Sequence, residues 1–283
     1  MTWISDYKSD YFKSDLAAGI TVAVLLIPQG MAYALIAGLP PLYGLYAAVV
    51  PQIVYAILGT SRQLAVGPVA MDSLLVAAGL GSLSIVNPSQ YIQMAILLAL
   101  LMGALQLILG LLRMGFIVSF LSKPVIKGFT AAAAIIIGLS QLKHLLGISI
   151  TQSNKIQEFI ASVLQNQTTV HLPTLVLGLG SILLLIGLKK WTPKVPSGIL
   201  AVALGILGVY FGKLDQMGVA VVGEIPSGLP SFTLPRTVWR TIRTLFPIAL
   251  TIALVAYMEA VSVAKAIQEK HKNYDINPNQ ELI

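Results

Sequence analysis

Long apolar runs separated by short polar loops make up most of the sequence. Many of these runs approach the roughly 20 apolar residues that an α-helix needs to cross the hydrocarbon core of a bilayer. We predict about eight helical spans, near residues 16–36, 41–58, 68–81, 91–112, 121–142, 173–188, 196–212 and 245–267. The pattern therefore predicts an all-α, polytopic membrane protein.

Polar segments complete the predicted organisation. Residues 1–15 alternate acids and bases and lack the features of a signal peptide, so we predict a cytosolic N-terminal segment. Residues 153–166 repeat apolar positions at helical spacing and predict a helix lying on the membrane surface. Residues 268–283 form the predicted cytosolic end. Most lysines and arginines of the loops fall on this cytosolic side, as the positive-inside rule requires.

The third span contains an interruption, "QLAVGPVAM" at residues 63–71. A short β-leaning stretch meets a Gly-Pro break, so we predict a strand followed by a half-helix with Pro68 in its first position. The N–H groups of Val69, Ala70 and Met71 would then have no intrahelical partner and would carry the positive end of the helix dipole. Transporters hold anions at such termini. The alternative is a re-entrant kink that serves packing alone.

Polar side chains interrupt two further spans. Gln29 and Tyr33 in the first span are four residues apart, so they share a helical face and present an amide and a hydroxyl. Glu259 and Ser262 share a face of the eighth span, where an ionisable residue is costly and is therefore a functional candidate. Gln29 and Tyr33 could instead join helices through hydrogen bonds, and Glu259 could be a structural carboxylate.

Asp72 lies in the first turn of the predicted half-helix and has two interpretations. A carboxylate there complements the helix dipole. The same carboxylate would repel an anion bound at that terminus. We therefore treat Asp72, together with Ser262, as a secondary candidate for binding a ligand or a proton.

Composition narrows the class of protein further. The 283 residues are 56% hydrophobic and 10% charged, whereas soluble domains carry about a quarter charged residues. The net charge of +7 comes from residues in short loops, which favours membrane topology over nucleic-acid binding. No cysteine is present, and the histidines are too far apart to suggest a metal site. No enzyme motif appears. We predict a non-enzymatic protein without a cofactor or metal.

Several stretches carry a family resemblance. They are "DLAAGITVAVLLIPQGMAYALIAGLPPLYGLYAAVVPQIVYAILGTSRQLAVGPVAM" (15–71), "SKPVIKGF" (122–129), "VGEIPSGLP" (222–230) and "EAVSVAKAIQEKHKNYDINPNQEL" (259–282). These stretches resemble the SulP family, the sulfate permeases and related anion transporters that include prestin and pendrin. They are distributed from residue 15 to residue 282, so the resemblance covers nearly the whole chain.

The resemblance implies a fold of two inverted seven-helix repeats, of which this chain holds the first repeat and the eighth helix. An anion would bind between the N-termini of the third and tenth helices. The side chains of Gln29 and Tyr33 would contact it, and Val69, Ala70 and Met71 would offer backbone N–H groups.

The resemblance also bears on coupling. Glu259 stands where coupled members of the family keep an acid. A glutamate there resembles the proton-coupled sulfate permeases, whereas the bicarbonate members resemble a sodium-coupled arrangement. The motion implied is an elevator or rocking movement of the core helices against a gate.

We therefore predict secondary active transport of an inorganic anion, sulfate first and bicarbonate second, coupled to H⁺ by alternating access in a bacterial inner membrane. The oligomeric state stays open, with a homodimer as one candidate. Na⁺-coupled bicarbonate transport, a nucleobase permease of the same fold and a channel stay open as alternatives. The chain ends at the family's "NQEL" stretch, so we expect the rest of the second repeat and the cytosolic STAS domain to be missing. A truncated, non-transporting unit that depends on a partner chain is the remaining alternative.

Overall fold

The computed structural model describes residues 7–83, 85, 87–116, 123–148, 170–191, 197–223, 228, 235, 239–271 and 275–283. These residues form helices, turns and loops, and no strand occurs among them. The α-helices are α1 (Tyr11–Ile36), α2 (Pro41–Leu58), α3 (Ala70–Gly81), α4 (Pro88–Leu111), α5 (Lys123–Leu146), α6 (Leu172–Trp191), α7 (Ser197–Gly212) and α8 (Trp239–His271). A short 3₁₀ helix follows at Gln280–Leu282.

Each predicted span coincides with one of these helices, which confirms an all-α, multi-pass membrane protein. Among the residues that the structure describes, five helices are long and apolar enough to cross a membrane (α1, α2, α4, α6 and α8), while α3 and α7 are shorter apolar helices. The predicted surface helix at 153–166 lies outside the described residues.

Helix ends differ most from the predicted apolar runs in α1 and α8. Helix α1 begins at Tyr11 rather than near residue 16, and α8 extends from Trp239 to His271 rather than over 245–267. Hydrophobicity reports the part of a helix that meets lipid, whereas helix ends depend on caps and breakers. Both helices therefore continue into polar sequence.

The chain folds into two compact units. The first contains α1 from Leu26 onwards, α2, α3, α4, the beginning of α5 and α8. Its apolar core lies where α3, α4 and α8 meet, and the fully buried members are Leu80, Leu97, Leu98, Leu245, Ala249 and Ile252. Asn87 caps α4 by accepting hydrogen bonds from the N–H groups of Ser89 (2.9 Å) and Gln90 (3.4 Å).

Helices α1 and α2 approach each other closely in the first unit. A Cβ atom built on Gly44 would lie 1.9 Å from the carbonyl oxygen of Gly30, and one built on Gly30 would lie 3.0 Å from the carbonyl oxygen of Gly44. Neither position has room for a larger side chain, which agrees with the small-residue packing typical of membrane helices. The contact fixes the part of α1 that carries Gln29.

The second unit contains the first part of α1, the part of α5 after Phe129, α6 and α7. Gly147 ends α5 with a φ of +65°, the left-handed conformation that commonly terminates helices. His171 joins the start of α6 to the turn after α7, because its Nδ1 lies 2.8 Å from Thr174 Oγ1 and its Nε2 lies 2.8 Å from the Met217 carbonyl oxygen. Both ring nitrogens are thus occupied, so His171 is a structural residue.

Candidate functional site

The half-helix predicted in the third span is present as α3. It begins at Ala70, with Val69 as an extended N-cap residue (φ −125°, ψ 151°) and no side-chain cap. The prediction that Pro68 occupies the first helical position is wrong by two residues, because Val69 is still extended. Pro68 therefore lies in the segment before the helix.

Backbone donors without a partner inside the helix lie at the start of α3. The first hydrogen bond of the helix runs from the N–H of Ser73 to the Val69 carbonyl, at 3.1 Å. The N–H groups of Val69, Ala70, Met71 and Asp72 consequently have no partner within the helix. The first three are those expected from the sequence, and the N–H of Asp72 was missed because the helix starts later than predicted.

The segment that leads into α3, residues 64–69, has no regular secondary structure. The strand predicted there is not formed, because a strand requires a neighbouring strand and none occurs among the described residues. The segment runs against α1: a Cβ atom built on Gly67 would lie 3.4 Å from Leu26 Cδ2. This contact places the segment before α3 beside Leu26, three residues before Gln29 in α1.

Gln29 and Tyr33 interact on one face of α1, as their spacing predicted. Helix α1 continues through Pro28, and the Gln29 amide Nε2 donates a hydrogen bond to Tyr33 Oη at 3.2 Å. The tyrosine oxygen acts as the acceptor, so its own proton is left to be donated elsewhere. Gln29 is exposed and Tyr33 is half-buried. The pair can present a hydroxyl donor to an anion.

Asp72 on α3 and Glu259 on α8 form a pair of carboxyl groups in the first unit. The two helices pack together, and the side chains are close enough for an electrostatic interaction. Asp72 Oδ1 and Glu259 Oε2 are both buried, and neither has a hydrogen-bond partner in the part of the chain that the structure describes. Ser262 is partly buried one turn after Glu259. Each of these two oxygens can therefore accept a hydrogen bond or take up a proton.

The helix terminus and the two carboxyl groups together determine which ions this site can bind. Uncapped N–H groups at a helix N-terminus attract an anion, and two carboxyl groups close to that terminus oppose it unless protons reduce their charge. Anion binding and proton binding would then favour each other. Sequence reasoning found all of these residues but missed the proximity of Asp72 and Glu259, since nothing in the local pattern links α3 to α8.

Comparison with known proteins identifies the family. The sequence profile of the Sulfate permease family matches residues 12–283. The chain belongs to this family, as the sequence motifs indicated. The family is one of membrane transporters rather than enzymes.

Relatives and solved structures agree with this assignment. The chain is 45% identical over 288 residues to "Sulfate transporter 4.1, chloroplastic" of Arabidopsis thaliana, a match that covers 99% of this chain and 42% of the relative. It is 38% identical over 277 residues to "Probable sulfate transporter Rv1739c" of Mycobacterium tuberculosis, covering 98% of this chain and 49% of the relative. The SLC26A9 structure superposes with a TM-score of 0.87 at 28% identity, covering 99% of this chain and 47% of that chain.

A second structure supports the fold alone. The transmembrane domain of the cyanobacterial bicarbonate transporter BicA superposes with a TM-score of 0.83 at 22% identity, covering 98% of this chain and 70% of that domain. The chain spans about half the length of the curated relatives it matches.

Proposed function

We propose that the protein to which this chain belongs is a secondary active transporter of inorganic anions, with sulfate as the preferred substrate. The observation that carries the proposal is the uncapped N-terminus of α3, which leaves the N–H groups of Val69, Ala70, Met71 and Asp72 without intrahelical partners. Sulfate carries two negative charges and four acceptor oxygens, so it matches several converging donors. The sulfate transporters among the relatives support this choice of anion.

Proton coupling follows from the carboxyl pair in this proposal. A sulfate held at the N-terminus of α3 would be repelled by Asp72 and Glu259 if both were charged, and the apolar surroundings strengthen such repulsion. A proton taken up by Glu259 lowers that cost and travels with the anion. The Tyr33 hydroxyl donates a hydrogen bond to a sulfate oxygen, while the hydrogen bond from Gln29 orients that hydroxyl. Alternating access then carries both ions across the membrane.

The cellular setting is part of the same proposal. We place both ends of this chain in the cytosol, because most loop lysines and arginines lie on that side. We also propose a bacterial inner membrane as the location and a homodimer as the assembly. The inverted second repeat, which would supply the tenth helix opposite α3, also belongs to the proposal.

The decisive experiment measures sulfate uptake into proteoliposomes that contain the protein expressed from its complete reading frame. An inward H⁺ gradient should accelerate uptake by the native protein. In Glu259→Gln the acceleration should disappear while sulfate exchange at equal pH continues, because glutamine keeps the shape of the side chain but cannot take up a proton.

The alternatives correspond to other outcomes of the same assay. Unchanged acceleration in Glu259→Gln rules out the proton role of this residue. Acceleration by a Na⁺ gradient, with bicarbonate as the better substrate, supports the Na⁺-coupled alternative. Absence of any anion flux supports a non-transporting unit.

A further inference from the structure

The polar segment after α8, residues 275–283, is bound to several helices of the first unit. On α8, the hydroxyl of Tyr257 lies 2.8 Å from the carbonyl oxygen of Gly115 and 2.9 Å from that of Pro278. The backbone N–H of Gly115, just beyond α4, donates to Asn279 Oδ1 at 2.8 Å. Leu282 is buried beside Tyr257. The segment is therefore seated between the end of α4 and the middle of α8.

Glu281 extends this attachment to α2. Its Oε2 accepts a hydrogen bond from Tyr55 Oη at 2.9 Å, and its Oε1 accepts from the backbone N–H of Thr60 at 2.8 Å and from the Thr60 hydroxyl. On the same side, Gln280 Nε2 donates to the carbonyl oxygen of Leu58 at 2.7 Å. Glu281 thus binds the last turn of α2 and the first residues after it with one carboxylate.

This segment approaches the chain closely at Gly115, just beyond α4. A Cβ atom built on Gly115 would lie 2.6 Å from Asn279 Oδ1 and 2.8 Å from the backbone nitrogen of Asn279. Because the obstacle includes backbone atoms, it cannot rotate away as a flexible side chain would. The close packing of Asn279 against this position therefore requires a glycine at residue 115.

The two elements held by this segment are those that lead to the candidate site. Thr60 lies just before the irregular segment 64–69, and this segment leads directly into the start of α3, which has no side-chain cap. Tyr257 lies two residues before Glu259 on α8. Through Glu281 and Tyr257, the segment at residues 275–283 therefore fixes the chain that leads into α3 relative to α8, the helix that carries Glu259.

We propose that Glu281 is a positioning residue for anion binding: it fixes Thr60, and through Thr60 the backbone donors at the start of α3, against α8. This inference rests on the proposed function, since it assigns Glu281 to the same anion site. A merely stabilising contact would alter the amount of folded protein but not the affinity of the folded fraction. A positioning contact alters affinity itself, because misplaced donors bind sulfate less well.

The test compares Glu281→Gln with the native protein, both expressed from the complete reading frame and reconstituted in proteoliposomes. In Glu281→Gln the KM for sulfate should rise by about tenfold, equivalent to about 1.4 kcal/mol, with Vmax per folded protein little changed. Glu281→Asp keeps the charge and should restore part of the affinity. Asp275→Asn is the matched control, since Asp275 is an exposed carboxylate of the same segment and accepts a hydrogen bond at 2.9 Å from Gln268 of α8. Its KM should equal that of the native protein.

A milder variant covers the case in which Glu281→Gln does not fold. Tyr55→Phe removes one of the donors to Glu281, and loss of one hydrogen bond should raise KM by about threefold. An unchanged KM in the folded variants, with uptake falling only in proportion to folded protein, would overturn the positioning role.

A second readout separates this inference from the proposed function. The 283 residues contain no cysteine, so Ala70→Cys gives a single thiol at the start of α3 in this part of the protein. Its reaction rate with a water-soluble thiol reagent should differ by about threefold or more between the native and Glu281→Gln backgrounds, because exposure of the thiol follows its position. If the native protein carries no sulfate, the proposed function fails, while a changed labelling rate still supports positioning and an unchanged rate still refutes it.

Discussion

The contact between Gly30 and Gly44 makes a sharp prediction about how tightly α1 must pack against α2. In Gly44→Ala the new methyl carbon would lie 1.9 Å from the Gly30 carbonyl oxygen, 2.5 Å from its carbonyl carbon and 3.1 Å from Ala34 Cβ. Non-bonded atoms of this kind stay more than about 3 Å apart, so the two backbones must separate by about 1 Å. The obstacle is backbone, and no rotamer change relieves it.

Two consequences follow from that displacement. Overpacking of a close contact costs about 1–3 kcal/mol of stability, so the thermal unfolding temperature in detergent should fall by several degrees. Gln29 and Tyr33 move with Gly30, and a displacement of about 1 Å at a binding group can cost up to a hundredfold in activity. We therefore expect sulfate uptake at low concentration to fall at least tenfold, relative to the amount of folded protein.

Two other glycine-to-alanine variants test whether the loss of stability and uptake depends on how close the new methyl group lies to its neighbours. Gly30→Ala should be milder, because its methyl group would lie 3.0 Å from the nearest carbonyl oxygen rather than 1.9 Å. Gly103→Ala in α4 is the control, since nothing described in the structure lies within 4 Å of that methyl position and alanine favours a helix by about 0.5–1 kcal/mol. The reasoning is refuted if Gly44→Ala unfolds at the same temperature and transports at the same rate as Gly103→Ala.

Two further predictions concern polar side chains of the candidate site. Tyr33→Phe removes the hydroxyl that accepts from Gln29, so the KM for sulfate should rise about tenfold with an unaltered unfolding temperature; an equal KM would exclude Tyr33 as a ligand. Asp72→Asn removes one of the two neighbouring carboxyl groups and with it much of their repulsion of the anion. Sulfate affinity at neutral pH should therefore increase and the pH dependence of uptake should flatten, whereas a pH profile identical to that of the native protein would show that Asp72 takes no part in coupling.

Local patterns in the sequence were sufficient to predict the helices and part of the site. Apolar runs locate the spans because lipid contact imposes apolarity on each one separately. The spacing of Gln29 and Tyr33 predicted that they share a helical face, and the hydrogen bond between them was seen only in the structure. The break at Pro68 predicted a half-helix, although its start lies two residues later because Val69 keeps an extended backbone.

Contacts between distant segments could not be predicted in this way. The hydrogen bond between Tyr55 and Glu281 joins residues that are 226 positions apart, and no periodicity within α2 or after α8 indicates it. The proximity of Asp72 and Glu259 has the same origin, because it depends on how α3 packs against α8. Such pairs arise from tertiary packing, whereas hydrophobic periodicity reports the environment of one segment at a time.

The central claim is that the backbone N–H groups at the start of α3 bind the anion, and one substitution tests it directly. Ala70 is the first helical residue, and Val69 before it has the extended conformation that a following proline favours. Ala70→Pro should therefore preserve the helix while deleting a single N–H donor, and Ala70→Ser keeps the donor as a control.

The measurement is the dissociation constant for sulfate, obtained by calorimetric titration of the purified protein expressed from its complete reading frame. Loss of one hydrogen bond to a charged ligand should weaken binding by about tenfold or more in Ala70→Pro and leave Ala70→Ser close to the native protein. Equal affinity in all of these proteins, with Ala70→Pro fully folded, would contradict the account.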